Sequence, residues 1–147
     1  MKNNRMKEYF QAKIGGIYML DLKNKIIEVA EANGWSVYIE DESEGNICFD
    51  FGKYSPAGQD FHVSAELENN EPDTLTDNLY ARYSDFDVSS ETYLWLDNDG
   101  HGKNGAPYDM KDLYEDMETC QEMIMDLYNI FNNEDWSEYY ENNDSNN

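Results

Sequence analysis

The fold is decided by the stretch Met110-Lys-Asp-Leu-Tyr-Glu-Asp-Met-Glu-Thr-Cys-Gln-Glu-Met-Ile-Met-Asp-Leu-Tyr-Asn-Ile-Phe-Asn132. Its apolar side chains recur at alternating intervals of three and four residues: Met110, Leu113, Met117, Cys120, Ile124, Leu127 and Phe131. An α-helix has about 3.6 residues per turn, so this spacing places them all on one face. The sequence therefore predicts a long helix whose apolar seam supplies the largest single strip of the core.

The opposite face of this helix is acidic. It carries six carboxylates, Asp112, Glu115, Asp116, Glu118, Glu122 and Asp126, and Lys111 is the only base of the helix. Carboxylates four residues apart, such as Glu118 and Glu122, repel each other at a cost of about 0.2–0.5 kcal/mol per pair. Two interpretations stay open at this point: a general bias toward solubility, or a binding surface that imitates a run of phosphates.

The first half of the chain predicts a helix followed by three strands. Asp21 is suited to cap a helix that ends near Asn33, with Gly34 closing it. Apolar residues then alternate with polar ones in three runs, at 35–39, 47–51 and 61–67. Alternation of this kind is typical of strands with one buried face.

A second helix is expected over residues 72–83, with Pro72 in its first turn. Residues 84–96 fit either a short helix capped by Asp87 or a buried strand. The order helix–strand–strand–strand–helix, followed by the long C-terminal helix, defines an α+β fold class. We expect a three-stranded antiparallel meander packed against helices.

We divide the 147 residues into three parts: a basic N-terminal arm (1–18), a single α+β domain (19–131) and a polar acidic tail (132–147). The arm has Met6, Phe10 and Ile14 at helical spacing among its lysines. It is interpreted either as a loosely docked terminus or as a basic strap that lies on the acidic body or on a partner. In the tail, Trp136, Tyr139 and Tyr140 are candidates for docking on the core.

The charge is very uneven. The net charge is −22; residues 1–25 carry six bases against two acids, and the remaining 122 residues carry four bases against thirty acids. A body of this charge repels nucleic acid and anionic lipid. We therefore expect no direct binding to nucleic acid and no membrane association, and we predict a basic or nucleic-acid-binding protein as the partner.

Cysteine and apolar content indicate the compartment. Cys48 and Cys120 show no CxxC spacing, which argues against a disulfide framework and a zinc site. The longest apolar runs fall well short of the ~20 residues that a membrane span needs. A cytoplasmic protein with reduced thiols and without a cofactor is expected.

A glycine-rich loop precedes the long helix. Gly100, Gly102 and Gly105 fit the spacing G-x-G-x-x-G, but a dinucleotide site requires the glycines to open a helix between two parallel strands. We instead expect the three glycines to shape a fixed turn that packs Trp95 and Tyr108 against the last helix.

The same loop holds the candidates for chemistry: Asp97, Asp99, His101 and Lys103. Asp97 and Asp99 suit the first and third positions of a calcium loop, but Tyr108 replaces the bidentate Glu at the twelfth. His101 is the loop's only titratable base near neutral pH, and acid–base or nucleophilic catalysis would need a Ser or Cys beside it. The simpler interpretation is that Asp97 closes an Asx turn.

Residues 91–118, from Glu91-Thr-Tyr-Leu-Trp-Leu-Asp-Asn-Asp-Gly through Asp-Met-Lys-Asp-Leu-Tyr-Glu-Asp-Met-Glu118, resemble a family of small acidic hypothetical proteins of gut-bacterial mobile elements. The resemblance brings no established activity and transfers no functional residue. Proteins in that setting include acidic antirestriction factors that mimic DNA, although their sequence motifs are absent here. We expect a non-enzymatic acidic binding protein, with a small enzyme or metal-binding protein at residues 97–103 as the alternative.

Overall fold

The structure, a computed structural model, describes residues 16–139, and side chains from residue 21 onward. Its elements are α1 (Gly16–Ala32), β1 (Ser36–Ser43), β2 (Asn46–Tyr54), β3 (Asp60–Leu67), α2 (Pro72–Asp85), α3 (Val88–Leu94), α4 (Met110–Asn132) and a final 3-10 turn (Ser137–Tyr139). This order and the single three-stranded sheet confirm the α+β fold class with a long C-terminal helix.

The sheet is the predicted antiparallel meander, in the order β1-β2-β3. Phe49 of β2 pairs with Ile39 on one side and with Ala65 on the other. The link between β1 and β2 is only two residues long, and Gly45 in it has φ +81°, a conformation that other residues rarely adopt. Alternate residues of β2 and β3 point to the same face and form one side of the core.

The helix α4 covers that face, as its apolar periodicity predicts. Six residues of the seam are buried: Leu113, Met117, Cys120, Ile124, Leu127 and Phe131. Phe131 packs on Phe51 of the sheet with ring centroids 5.6 Å apart. Met110 is the exception to the prediction. It is 54% exposed, because the first turn of α4 lies at the edge of a surface groove beside α3 instead of over the sheet.

The helix α1 begins earlier than the sequence predicts. It starts at Gly16, so Asp21 lies within it and does not cap its start. The end is as expected: Gly34 has φ +89°, and the Trp35 N–H donates to the Ala30 carbonyl over 3.1 Å.

The ambiguous residues 84–96 form a helix and not a buried strand. Asp87 caps α3 by accepting a hydrogen bond from the Ser90 N–H at 3.1 Å. This short helix turns Tyr93 and Leu94 outward, with 77% and 64% of their surfaces exposed. The chain then pairs briefly with itself at Leu96 and Gly102 before α4 begins.

The two ends of the chain are described in part. Of the predicted basic arm, residues 1–15 lie outside the described residues, and residues 16–18 belong to α1. Of the tail, Trp136 and Tyr139 are buried, and the Trp136 indole N–H donates to the Phe131 carbonyl over 2.8 Å. These two residues dock as predicted, while Tyr140 lies outside the described residues.

Candidate functional site

The outer side of α4 carries five exposed carboxylates, which we call the acidic face: Asp112, Glu115, Glu118, Glu122 and Asp126. The buried seam holds the helix against the sheet, so the acidic side chains on the opposite side of the helix point into solvent. Lys111 lies 4.0 Å from Glu115, with both side chains largely exposed. A pair of this kind contributes only about 0–1 kcal/mol, so it leaves the acidic character of the face intact.

Asp116 does not belong to this face, and its assignment there from the sequence is wrong. It is 5% exposed and accepts hydrogen bonds from the Ser55 hydroxyl, the Ala57 N–H at 3.1 Å and the Gln59 amide at 2.6 Å. The residue lies at the border of the apolar seam, next to Met117, where the β2–β3 loop covers the helix. Its position at the edge of the apolar stripe indicated a buried side chain, whereas an acidic residue is normally expected at the surface.

The charge imbalance extends over the whole described part of the chain. Residues 16–139 contain six Lys or Arg against twenty-nine Asp or Glu, so most carboxylates have no base of their own. His62 lies on the exposed face of β3, with its ring nitrogens 2.9 Å from Asp50 and 3.0 Å from Asp60. Within residues 16–139, no group of three or more His, Cys, Asp or Glu is placed to hold a metal ion.

The glycine-rich loop is closed by main-chain bonds. One carboxylate oxygen of Asp97 accepts from the N–H groups of Asp99 at 2.9 Å and His101 at 3.0 Å, which confirms the Asx turn. The bond from the His101 N–H, joined by that from Asp99, holds the pKa of Asp97 below its usual range. A further bond, from the Lys103 N–H to the Trp95 carbonyl at 2.9 Å, ties the loop to the end of α3.

The three glycines shape this turn, for two different reasons. Gly100 and Gly105 have φ +83° and +87°, which favour glycine. At Gly102 the reason is space, because a Cβ atom would lie 1.9 Å from the Pro107 carbonyl oxygen. The Gly102 N–H also donates to the Tyr108 carbonyl over 3.0 Å, so a hydrogen bond joins the middle of the loop to its C-terminal end.

The loop candidates do not converge on one point. The His101 ring stacks on Tyr108, with centroids 4.0 Å apart and an angle of 11° between the planes. Tyr108 is 66% exposed, so the prediction that it packs against the last helix is wrong: its ring stacks on His101 at the surface instead. Asp99 and Lys103 are exposed, and the structure brings neither side chain to the His101 ring.

A cleft of about 390 Å³ lies between this loop, the β2–β3 loop and α4. His62, Glu91, Trp95, Met117 and Cys120 contribute to its lining. Trp95 thus lines the same cleft as two residues of the last helix, and 36% of its surface is exposed, so it is not one of the core residues. Burial raises the pKa of the Cys120 thiol to about 12, which leaves it protonated and unreactive at neutral pH. The cysteine is a core residue with one edge on the cleft.

A second cavity, of about 480 Å³, was not foreseen from the sequence. This α3–α4 groove has apolar walls and an acidic rim, and it is lined by Ser89, Thr92, Tyr93, Leu96, Met110, Lys111, Tyr114, Glu115 and Glu118. Two residues of the acidic face, Glu115 and Glu118, thus border an apolar surface. Met110 was the feature of the sequence that could have indicated this groove, because it is the one residue of the predicted seam that is not buried in the core.

Comparison of the chain with protein-family models, with curated proteins and with solved structures gives no match. Among the helices of the described region, none combines the length and the apolar character that crossing a bilayer requires. Cys48 and Cys120 are both free thiols.

Proposed function

We propose that this protein is a non-enzymatic binding protein whose acidic face engages a basic protein. The observation that carries the proposal is the one-sided arrangement on α4. Five exposed carboxylates follow one side of a helix whose other side is locked into the core, and Lys111 is the only base among them. The backbone that carries these carboxylates is therefore already fixed before a partner binds, which lowers the entropy cost of binding.

The surrounding charge supports the same function. With six bases against twenty-nine acids in residues 16–139, the field around the protein attracts cationic surfaces from beyond the contact distance. Complementary charge of this kind raises association rates and discriminates against acidic partners. It also disfavours direct binding to nucleic acid, since phosphates carry the same sign.

The partner that fits best is a protein that binds nucleic acid, with the acidic face in the place of a phosphate backbone. Carboxylates three or four residues apart on a helix are separated by about 5 Å along the axis. That is of the same order as the phosphate interval of about 3.4 Å per strand of DNA. Together with the resemblance noted for residues 91–118, this supports an antirestriction-type accessory role for a mobile element. Because both thiols are free, we place that role in the cytoplasm.

The alternative, an enzyme or a metal site at residues 97–103, has less support. One oxygen of Asp97 is already engaged by two main-chain N–H groups. The His101 ring lies flat against the Tyr108 ring, a contact that needs no catalytic role to explain it. We therefore place the function on α4 and regard the loop as a structural connection.

The experiment is capture of a partner from host extract, with the full chain as bait, at low and at high salt. We expect a protein that binds DNA or RNA and that elutes as salt rises, because counterions screen charge–charge contacts. In a second arm, Glu115, Glu118 and Glu122 are changed together to Lys. All three are exposed, so the fold is expected to persist while capture is lost.

The matched control reverses three exposed acids elsewhere, Glu28, Glu31 and Asp77, to Lys. It changes the net charge by the same amount and leaves α4 untouched. Loss of capture in both triple variants would mean that only net charge matters. Capture that survives high salt and the reversal on α4 would contradict the proposal.

A further inference from the structure

We infer that the α3–α4 groove binds the basic N-terminal segment, residues 1–15, of a second copy of this chain. The groove shares only Glu115 and Glu118 with the acidic face, and the inference does not depend on a foreign partner. It rests on three observations: the chemistry of the groove, the composition of the segment, and the distance between the two within one chain.

The groove is apolar inside and acidic at its rim. Tyr93 and Met110 lie in it with 77% and 54% of their surfaces exposed, and Tyr114 adds a third large side chain at 39%. Glu115 and Glu118 border it, and Lys111 is the only base of its lining. A ligand for such a surface needs apolar side chains on one side and positive charge on the other.

Residues 1–15 have this combination. Their apolar side chains Met6, Phe10 and Ile14 are spaced four apart, and the bases Lys2, Arg5, Lys7 and Lys13 stand against a single acid, Glu8. Apolar anchors at this spacing are typical of segments that bind in a groove between helices. In the rest of the chain the bases are outnumbered many times over, so no other segment offers the same charge.

The groove of the same chain is out of reach, because α1 runs antiparallel to α4. Lys25 is ion-paired with Glu134, beyond the C-terminal end of α4, at 3.3 Å. The other end of α1 is near the β2–β3 side, where the Lys53 ammonium donates to the Asn33 carbonyl over 3.2 Å. The Ser55 hydroxyl, two residues after Lys53, bonds to Asp116 in the first half of α4.

Gly16 therefore lies on the far side of the molecule from the groove. From Tyr114 to the end of α4 is about 27 Å, and Gly16 lies about 13 Å further along α1 than Lys25. Phe10 is six residues from Gly16, and even a fully extended chain of that length spans only about 20 Å. The anchors thus reach the groove of a second molecule, and a reciprocal exchange gives a closed two-fold dimer.

The test is analytical ultracentrifugation of the full chain. We expect a dimer whose Kd rises at least about tenfold in Phe10→Ser and in the double variant Tyr93→Ser/Met110→Ser. The groove residues are exposed, and none of these changes alters the charge. Tyr54→Ser, which removes a tyrosine that is 71% exposed on β2, is the matched control and is expected to leave the Kd unchanged.

Mixing the two dimerisation variants gives the sharper result. A heterodimer of Phe10→Ser with Tyr93→Ser/Met110→Ser retains one intact segment in one intact groove, so the mixture should associate more strongly than either variant alone. A mixture that associates no more strongly than either variant alone would overturn the inference. So would a full chain that stays monomeric into the millimolar range, or a dimer that all the variants leave unaffected.

Discussion

The Asp116 carboxylate on α4 accepts a hydrogen bond from the hydroxyl of Ser55, a residue 61 positions earlier in the chain. The same carboxylate accepts bonds from the Ala57 N–H and the Gln59 amide. An acidic side chain in the first half of the long helix thus holds the β2–β3 loop in place. The loop also forms one wall of the cleft beside α4, so this contact determines the shape of that surface.

Replacing Asp116 by Ala should lower the free energy of unfolding by about 2–4 kcal/mol, because three donors lose their acceptor in a site with little water. Asp116→Asn should lower it less, since one acceptor oxygen remains. Urea unfolding measures both. Asp112→Ala, on the exposed face of the same helix, is the control and should change stability by no more than about 0.5 kcal/mol. Equal effects at the two positions would contradict the structural role of Asp116.

Gly102→Ala should destabilise the protein more than Gly100→Ala. At Gly102 the new Cβ would lie 1.9 Å from the Pro107 carbonyl oxygen, so the main chain must move, at a cost of about 2–3 kcal/mol. At Gly100 there is open space, and only the positive φ is unfavourable, which costs about 1 kcal/mol. Thermal unfolding followed by circular dichroism ranks the two. The opposite order would show that the loop is less fixed than its hydrogen bonds indicate.

His101→Ala should leave both stability and partner capture nearly unchanged, within about 0.5 kcal/mol in unfolding. The ring only stacks on Tyr108, which is itself 66% exposed. The same unfolding and capture experiments apply. If the variant folds normally and yet loses a measurable activity, the function lies in the loop and the proposal for α4 is wrong.

Asp97 should stabilise the protein at neutral pH and lose that effect in acid. The N–H of His101, with that of Asp99, lowers the pKa of its carboxyl in the folded state below the ordinary value of 3.8. A group with a depressed folded pKa contributes stability above its unfolded pKa, and this contribution disappears as the pH falls through the folded pKa. Asp97→Asn should therefore be less stable than the unmodified chain at neutral pH, and the difference should shrink below about pH 3.8. A difference that is constant across this range would contradict the assignment.

The Cys48 thiol should react slowly with alkylating reagents at neutral pH. The pKa of the Cys48 thiol is raised from 9.0 to about 11, mainly because the thiol is partly buried and also because it is hydrogen-bonded to Glu40. The smaller thiolate fraction outweighs the greater nucleophilicity of a more basic thiolate, so the rate should be about tenfold below that of a free thiol. Glu40→Gln should restore part of the rate, and mass spectrometry locates the label. A rate equal to that of a free thiol would show that the side chain is not held as described.

The sequence by itself determined the secondary structure of the core. The spacing of three and four residues from Leu113 to Phe131 and the alternation at Ile47, Phe49 and Phe51 each record which side of an element is buried. Burial of a regular element is periodic, so a local pattern is enough to predict it. The Asx turn at Asp97 was equally predictable, because all of its atoms lie within five residues.

Only the tertiary structure determined whether Asp116, Met110 and Tyr108 are buried or exposed. Each lies in an environment opposite to the predicted one: the acid is buried, the methionine is exposed, and the tyrosine is exposed with a histidine stacked on its ring. The physical reason is the same in all three cases. Their surroundings are set by the β2–β3 loop, by α3 and by the fold of the glycine-rich loop, and the distances between such segments are fixed only when the whole core packs.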